Sequence, residues 1–277
     1  SRKIKIGKEF EKVQAAGPYV NFFLDRKTLA QTILNQIQKQ KLKFGSQKLS
    51  SKKTMVEFSQ ANTHKAFHVG HIRATSLGES IARILEFSGN KAIRANYQGD
   101  TGMHIAKWIW CYKKYHKKEP LKKEESWISG IYVDSVKRLA EKPELQEEVD
   151  EINRKIESHE DPFLDKLWRK TRKLSLDAFE PIYKELNTHF DKYFFESQIE
   201  KRAKQISQEL LKRKIAEISD GATIVNLEKY NLGVWILLRK DGTVLYSAKD
   251  LALAEKKFKE FKIDESIYVV GTAQKLH

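Results

Sequence analysis

At 277 residues, 40% of them hydrophobic and 32% charged, the chain can bury a full core and presents a wet surface. No apolar run is long enough to cross a bilayer, the first ten residues hold no secretory-type apolar segment, and the simplest compartment is the cytoplasm. A single cysteine, Cys111, rules out an internal disulfide and a cysteine-caged zinc site, while 52 Lys+Arg against 37 Asp+Glu leave a net charge of +15. That excess suits a polyanionic partner, although a merely solvated lysine-rich surface has the same composition.

Residues 1–50 read as a basic leader that begins partway through a module. Gly17-Pro18 marks a turn, Tyr19 to Leu24 suits a strand, and Asp25 is a helix N-cap before a stripe of Leu29, Ile33, Leu34 and Ile37. Lys39 to Lys53 reads as a linker. In residues 51–112, Met55, Val56 and Phe58 predict a buried strand. A helix follows His71 with Leu77, Ile81, Ile84 and Leu85 on one stripe, ending at Gly89. Lys91 to Tyr97 is a second strand, and Gly99-Asp100-Thr101-Gly102 turns into a helix with Ile105, Trp108, Ile109 and Tyr112.

Residues 113–220 are charged and read as a helical insertion. In residues 221–277 strands return at Thr223–Val225 and Val234–Leu238, with an Asp241-Gly242 hairpin signal before Val244. A helix with Leu251, Ala254, Phe258 and Phe261 follows, then a buried strand from Ile267 to Val270. The expected fold is α/β, a Rossmann-like doubly wound parallel sheet split by that insertion.

The chemistry concentrates near residues 57–71. His68-Val69-Gly70-His71 sits where a strand hands over to a helix, so two imidazoles, backbone N–H groups and the positive end of the helix dipole meet at one point. Such a site suits phosphate, and glycine lets the backbone approach a ligand. His64 and His68 stand four apart, yet in a loop without a nearby carboxylate pair they make a poor zinc site, and no metal ligands are assigned. Glu57, inside an apolar strand, requires either an exposed edge or a cationic partner. Tyr246 and Asp250, one turn apart at a helix start, suit a guanidinium or ammonium ligand; a carboxylate there also complements the helix dipole without any ligand.

Taken together, Val56-Glu57-Phe58-Ser59-Gln60-Ala61-Asn62, His68-Val69-Gly70-His71, Gly99-Asp100-Thr101-Gly102, Phe190-Asp191, Glu196-Ser197, Asp241-Gly242-Thr243 with Tyr246 and Asp250, and Tyr268 to Gly271 with Gln274 and His277 resemble arginyl-tRNA synthetases of class I, in their archaeal and eukaryotic style. The resemblance implies an arginine pocket of Glu57, Asn62, Tyr246, Asp250 and Gln274. It implies ATP contacts at His68, Gly70, His71 and His277, with His68 and His71 catalytic. It further implies ATP as a substrate, accompanied by Mg2+, and no tightly bound prosthetic group. The partners would be L-arginine and tRNA(Arg), and the expected state is a monomer. Residues 1–50 then correspond to the end of a tRNA-contacting module.

Against the family pattern, the chain ends before the second class I motif and the anticodon-binding domain, so weak or no activity is expected of it alone. Ala66 and Ala273 stand where proline and glutamine are common. Two alternatives stay open: a small-molecule adenylyltransferase of the H-x-G-H superfamily, and a non-catalytic synthetase-like RNA-binding module.

Overall fold

A computed structural model describes residues 7–271. The chain divides into two compact units, one running up to Leu49 with Phe87–Gly89 added, the other comprising the rest. In the first, β1 (Phe10–Ala16) and β2 (Tyr19–Leu24) form an antiparallel hairpin turned at Gly17. Helix α1 (Arg26–Gln40) follows, and Asp25 accepts a hydrogen bond from Thr28 N at 2.7 Å as its N-cap. The helix persists through the start of the expected linker. Among the described residues its apolar stripe of Leu29, Ile33, Leu34 and Ile37 is exposed.

The second unit is built on a four-stranded sheet, all parallel. Its strands are β3 (Lys53–Glu57), β4 (Lys91–Gln98), β5 (Lys192–Phe195) and β9 (Glu265–Tyr268), in the spatial order β5-β4-β3-β9. The chain therefore grows outward from β3 in one direction and then returns to its other side. Between β3 and β9 the winding reverses, and such a reversal opens a crevice at the carboxyl ends of the strands. Helix α2 (Val69–Phe87) covers one face through Ala82 against Val56 and Phe58. Helices α7 (Glu200–Lys212) and α8 (Tyr246–Phe261) cover the other, over Met55, Ala95 and Phe194.

Between β4 and β5 lies an all-helical layer of α3 (Met103–Cys111), α4 (Glu125–Glu141), α5 (Gln146–Ser158) and α6 (Pro162–Glu185). Its own core includes Trp108, Trp110, Ile128, Val149, Leu164 and Trp168.

Four expectations need correction. Residues 113–220 are not helical throughout: β5, four residues of which only Phe194 is buried, is too short to show a period and belongs to the parallel sheet. The strands of the last quarter do not all extend that sheet. Instead β6 (Glu217–Ser219), β7 (Ala222–Asn226) and β8 (Val234–Leu238) make a separate antiparallel sheet, and only β9 returns. Among the described residues β9 is an edge strand, and Tyr268 at its end and Val270 just beyond it are exposed rather than buried. Finally, α2 starts at Val69 and turns Thr75, Gly78, Glu79 and Ala82 inward, leaving Leu77 and Ile84 exposed. Gly78 explains that rotation: a Cβ there would lie 2.1 Å from the Phe58 ring, so the backbone itself packs on the sheet.

Among the described residues no helix is long and apolar enough to cross a membrane.

Candidate active site

The loop joining β3 to α2 is strained and held. Ser59, Gln60 and His64 all have positive φ (73°, 55° and 64°), a region that L-residues rarely occupy. Gln60 N donates to Asn96 Oδ1 at 3.1 Å, Gln60 Nε2 donates to Glu57 Oε1 at 2.9 Å, and Ser59 Oγ lies 3.0 Å from the Tyr183 hydroxyl. Strain of this kind persists only where surrounding contacts over-determine it, and it is commonest at functional sites. Next to the loop, Asn62 lies against Gly99, where a Cβ would come 2.2 Å from Asn62 Oδ1.

At the start of α2 the His68 carbonyl accepts from His71 N (2.9 Å) and Ile72 N (3.2 Å), while His68 Nδ1 accepts from Gly70 N at 3.1 Å. His71 Nδ1 accepts from His68 N at 3.2 Å, and the two rings stack with centroids 3.8 Å apart. With each Nδ1 accepting, the neutral tautomers carry their protons on Nε2, two donors beside a helix N-terminus. Burial, then the neighbouring His68, pulls His71 down to about 4, so it is neutral at physiological pH. Glycine at position 70 also leaves room for the folded-back His68 ring: a Cβ there would stand 2.9 Å from it, so the ring would have to swing away.

Glu57 ends β3 on the α8 side of the sheet and is 2% exposed. Its cation is Lys257, fully buried, with Nζ 2.5 Å from Glu57 Oε2 and 4.2 Å from the centroid of the Tyr268 ring. Asp250 comes two helical turns before Lys257 on α8, hence on the same face. Burial, and next the charge of Glu57, push the Asp250 carboxyl up to about 7, against the smaller opposing influence of Lys257. Tyr246, the first residue of α8, is 56% exposed at the rim. Glu57 and Asp250 thus converge from opposite ends of the chain beside the crevice, within each other's field. Gln274 and His277 lie outside the described residues.

The remaining motif pieces tie this region to the insertion. Asp100, wholly buried, accepts from Ser197 N (2.9 Å), Ser197 Oγ (2.7 Å) and Arg172 Nη1 (2.7 Å), and its carbonyl accepts from Trp168 Nε1. Glu196 accepts from Thr101 Oγ1 and pairs with Lys249 at 2.9 Å. His64 is a core histidine, 2.8 Å from Thr171 Oγ1 and edge-on to Trp108, and burial drives its pKa well down.

One trio away from the crevice, Cys111, His116 and Asp134, places potential ligand atoms within 4.8 Å of one another. Arg138 Nε already donates to that Asp134 carboxylate at 2.8 Å, and His116 bridges Asp134 and Glu119, so the trio functions as an ion-pair clasp between α3 and α4.

Sequence reasoning passed over Lys257, because a lysine in a lysine-rich run reads as solvated. The signal was present nonetheless: Tyr246, Asp250 and Lys257 share one helical face, and of the expected apolar stripe Leu251 and Phe261 pack against the core while Phe258 does not. Phe258 is exposed, while Ala248, Ala252 and Leu253 pack inward. Glu196 stood in a quoted motif without a role.

Comparison with known proteins supplies the remaining context. The family described as "tRNA synthetases class I (R), catalytic domain" matches residues 32–277. The arginine–tRNA ligase of Clostridium perfringens is 37% identical over 99% of the chain, and that of Bdellovibrio bacteriovorus 36% over 95%. The chain covers 49% and 46% of those proteins, about half the length of the curated relatives it matches. Among solved structures, the Thermus thermophilus arginyl-tRNA synthetase superposes with a TM-score of 0.69 at 25% identity, over 93% of this chain and 43% of its own. The Plasmodium falciparum arginyl-tRNA synthetase gives 0.74 at 20% identity, over 98% and 48%, which speaks to the fold.

Proposed function

The chain belongs to the class I arginyl-tRNA synthetase catalytic-domain family, and from that premise we propose that it carries the arginine- and ATP-binding crevice for making arginyl-adenylate and passing the arginyl group to tRNA(Arg). The observation that carries this reading is the convergence of Glu57 and Asp250 beside the crevice that begins at His68 and His71. A cationic amino acid and a phosphate ester are the two ligands such a crevice separates by charge.

In this reading the arginine guanidinium meets the ionised Asp250 carboxylate, with Tyr246 at the rim and Glu57 behind, its charge balanced by Lys257. Asn62, placed against Gly99, lies near the path of the substrate main chain. The substrate carboxylate attacks the α-phosphorus of ATP; the P–O bond to pyrophosphate breaks, and the released charge falls where the Nε2–H donors of His68 and His71 and the α2 N-terminus lie. No enzyme nucleophile takes part, so catalysis is positioning and electrostatics. Magnesium enters with the nucleotide as part of that substrate. The net charge of +15 favours the tRNA polyanion in the transfer step.

The test is ligand-induced thermal stabilisation of the chain by arginine, lysine and citrulline, each with and without ATP. Arginine should stabilise most, and Asp250→Asn should abolish the difference. Equal shifts for all three would reject the pocket.

A further inference from the structure

On the α8 face of the sheet, Ala95 of β4 pairs with Glu57, and Tyr97 is the next residue of β4 to point the same way, closer to the strand's carboxyl end. Its ring packs into the cluster that includes Ala248 of α8 and Phe194, the latter its pairing partner on β5. The hydroxyl is buried and has no hydrogen-bond partner among the described residues. A buried hydroxyl left unpaired is costly, and native proteins keep such groups where something else uses them. The anionic charges acting on this hydroxyl are, in order, Glu196, Asp250, Glu57 and Asp100. Together with burial they hold it protonated. It therefore lies within the field of Glu57 and Asp250, with oxygen lone pairs to offer to a donor-rich cation. A guanidinium presents five N–H donors in a plane, more than one carboxylate can satisfy.

We propose that Tyr97 is a substrate-binding residue of the arginine pocket, its hydroxyl oxygen accepting a hydrogen bond from the guanidinium. The proposal rests on the arginine reading above and adds a contact that the sequence motifs did not single out.

The experiment is Tyr97→Phe, measured in the unliganded chain by thermal unfolding and with arginine by titration calorimetry, alongside wild type and Asp250→Asn. Removing an orphaned hydroxyl should leave the melting temperature raised or unchanged, while the Kd for arginine rises about tenfold, the scale of one lost hydrogen bond. A structural tyrosine would not combine those two results. A lowered melting temperature would mean that the hydroxyl has a partner in the free protein, and an unchanged Kd would mean that arginine does not touch it; either overturns the proposal. Arginine binding by wild type that survives Asp250→Asn, or no arginine binding at all, would defeat the underlying pocket reading and Tyr97 with it.

Discussion

Lys257 and Glu57 form an ion pair sealed from water, 200 residues apart in the chain, on the inner face of α8. Taking either charge away strands the other in an apolar setting, which costs more than the pair itself contributes. Lys257→Met should therefore lower stability by about 3–5 kcal/mol. The double variant Lys257→Met/Glu57→Gln should recover most of that loss. Denaturant midpoints of the two singles and the double check it, and additive losses would contradict a coupled pair.

Asp250 sets the pH response of the pocket. Its carboxyl is raised from 3.8 to about 7, so folding retains a proton that the unfolded chain gives up. The stabilising contribution of that retained proton is complete below about pH 4 and fades as pH rises through 7. Arginine selects the ionised form, so its Kd should weaken about tenfold per pH unit below 7 and level off above it. Calorimetry at pH 6 and pH 8 gives the comparison; a flat profile in the wild type would be the contrary result. In Asp250→Asn the profile should be flat and the binding weak.

At the helix start, Gly70→Ala forces the His68 ring out of its folded-back position and breaks its bond from Gly70 N. Alanine is the better helix former by about 1 kcal/mol, so stability should hold or rise slightly. ATP binding should fall by roughly tenfold, since the aligned donors are lost. Fluorescence titration with ATP, paired with a melting curve, separates the two effects.

Gly78→Ala makes the opposite case. Its Cβ would meet the buried Phe58 ring, so α2 must lift from the sheet at an expected cost of about 1–3 kcal/mol. Nucleotide affinity measured well below the new melting temperature should change little. A variant as stable as wild type would show that the helix does not seat on Phe58.

These cases mark what the sequence discloses. The β3–loop–α2–β4 passage was legible because two strands and a capped helix alternate there over a short span, and the positions of Glu57, His68 and His71 followed. Asp250 and Tyr246 were legible from their one-turn spacing. Lys257 and Tyr97 were not, for different reasons. Local composition assigns a lysine among lysines to solvent, and only tertiary packing inverted that. A tyrosine at a strand end looks like ordinary core, and its unpaired hydroxyl exists only once the neighbours are in place. Gly78 hid in the same way, since an inward glycine contributes nothing to an apolar stripe. β5 was lost because four residues are too few to show a period.

The arrangement of the parallel sheet has a kinetic consequence. Val56 pairs with Arg94 close by in the chain, but also with Ile267, after the entire helical layer and the antiparallel sheet have been made. Joining ends so far apart carries a closure entropy that nearby contacts do not, and pairings of this kind form slowly. The histidine end of the crevice draws on the early β3–α2–β4 passage, whereas its acidic end waits for α8, which carries Asp250 and Lys257 and directly precedes β9. During synthesis, phosphate affinity should emerge before amino-acid selectivity, which makes discrimination of arginine from citrulline a reporter of a late folding event.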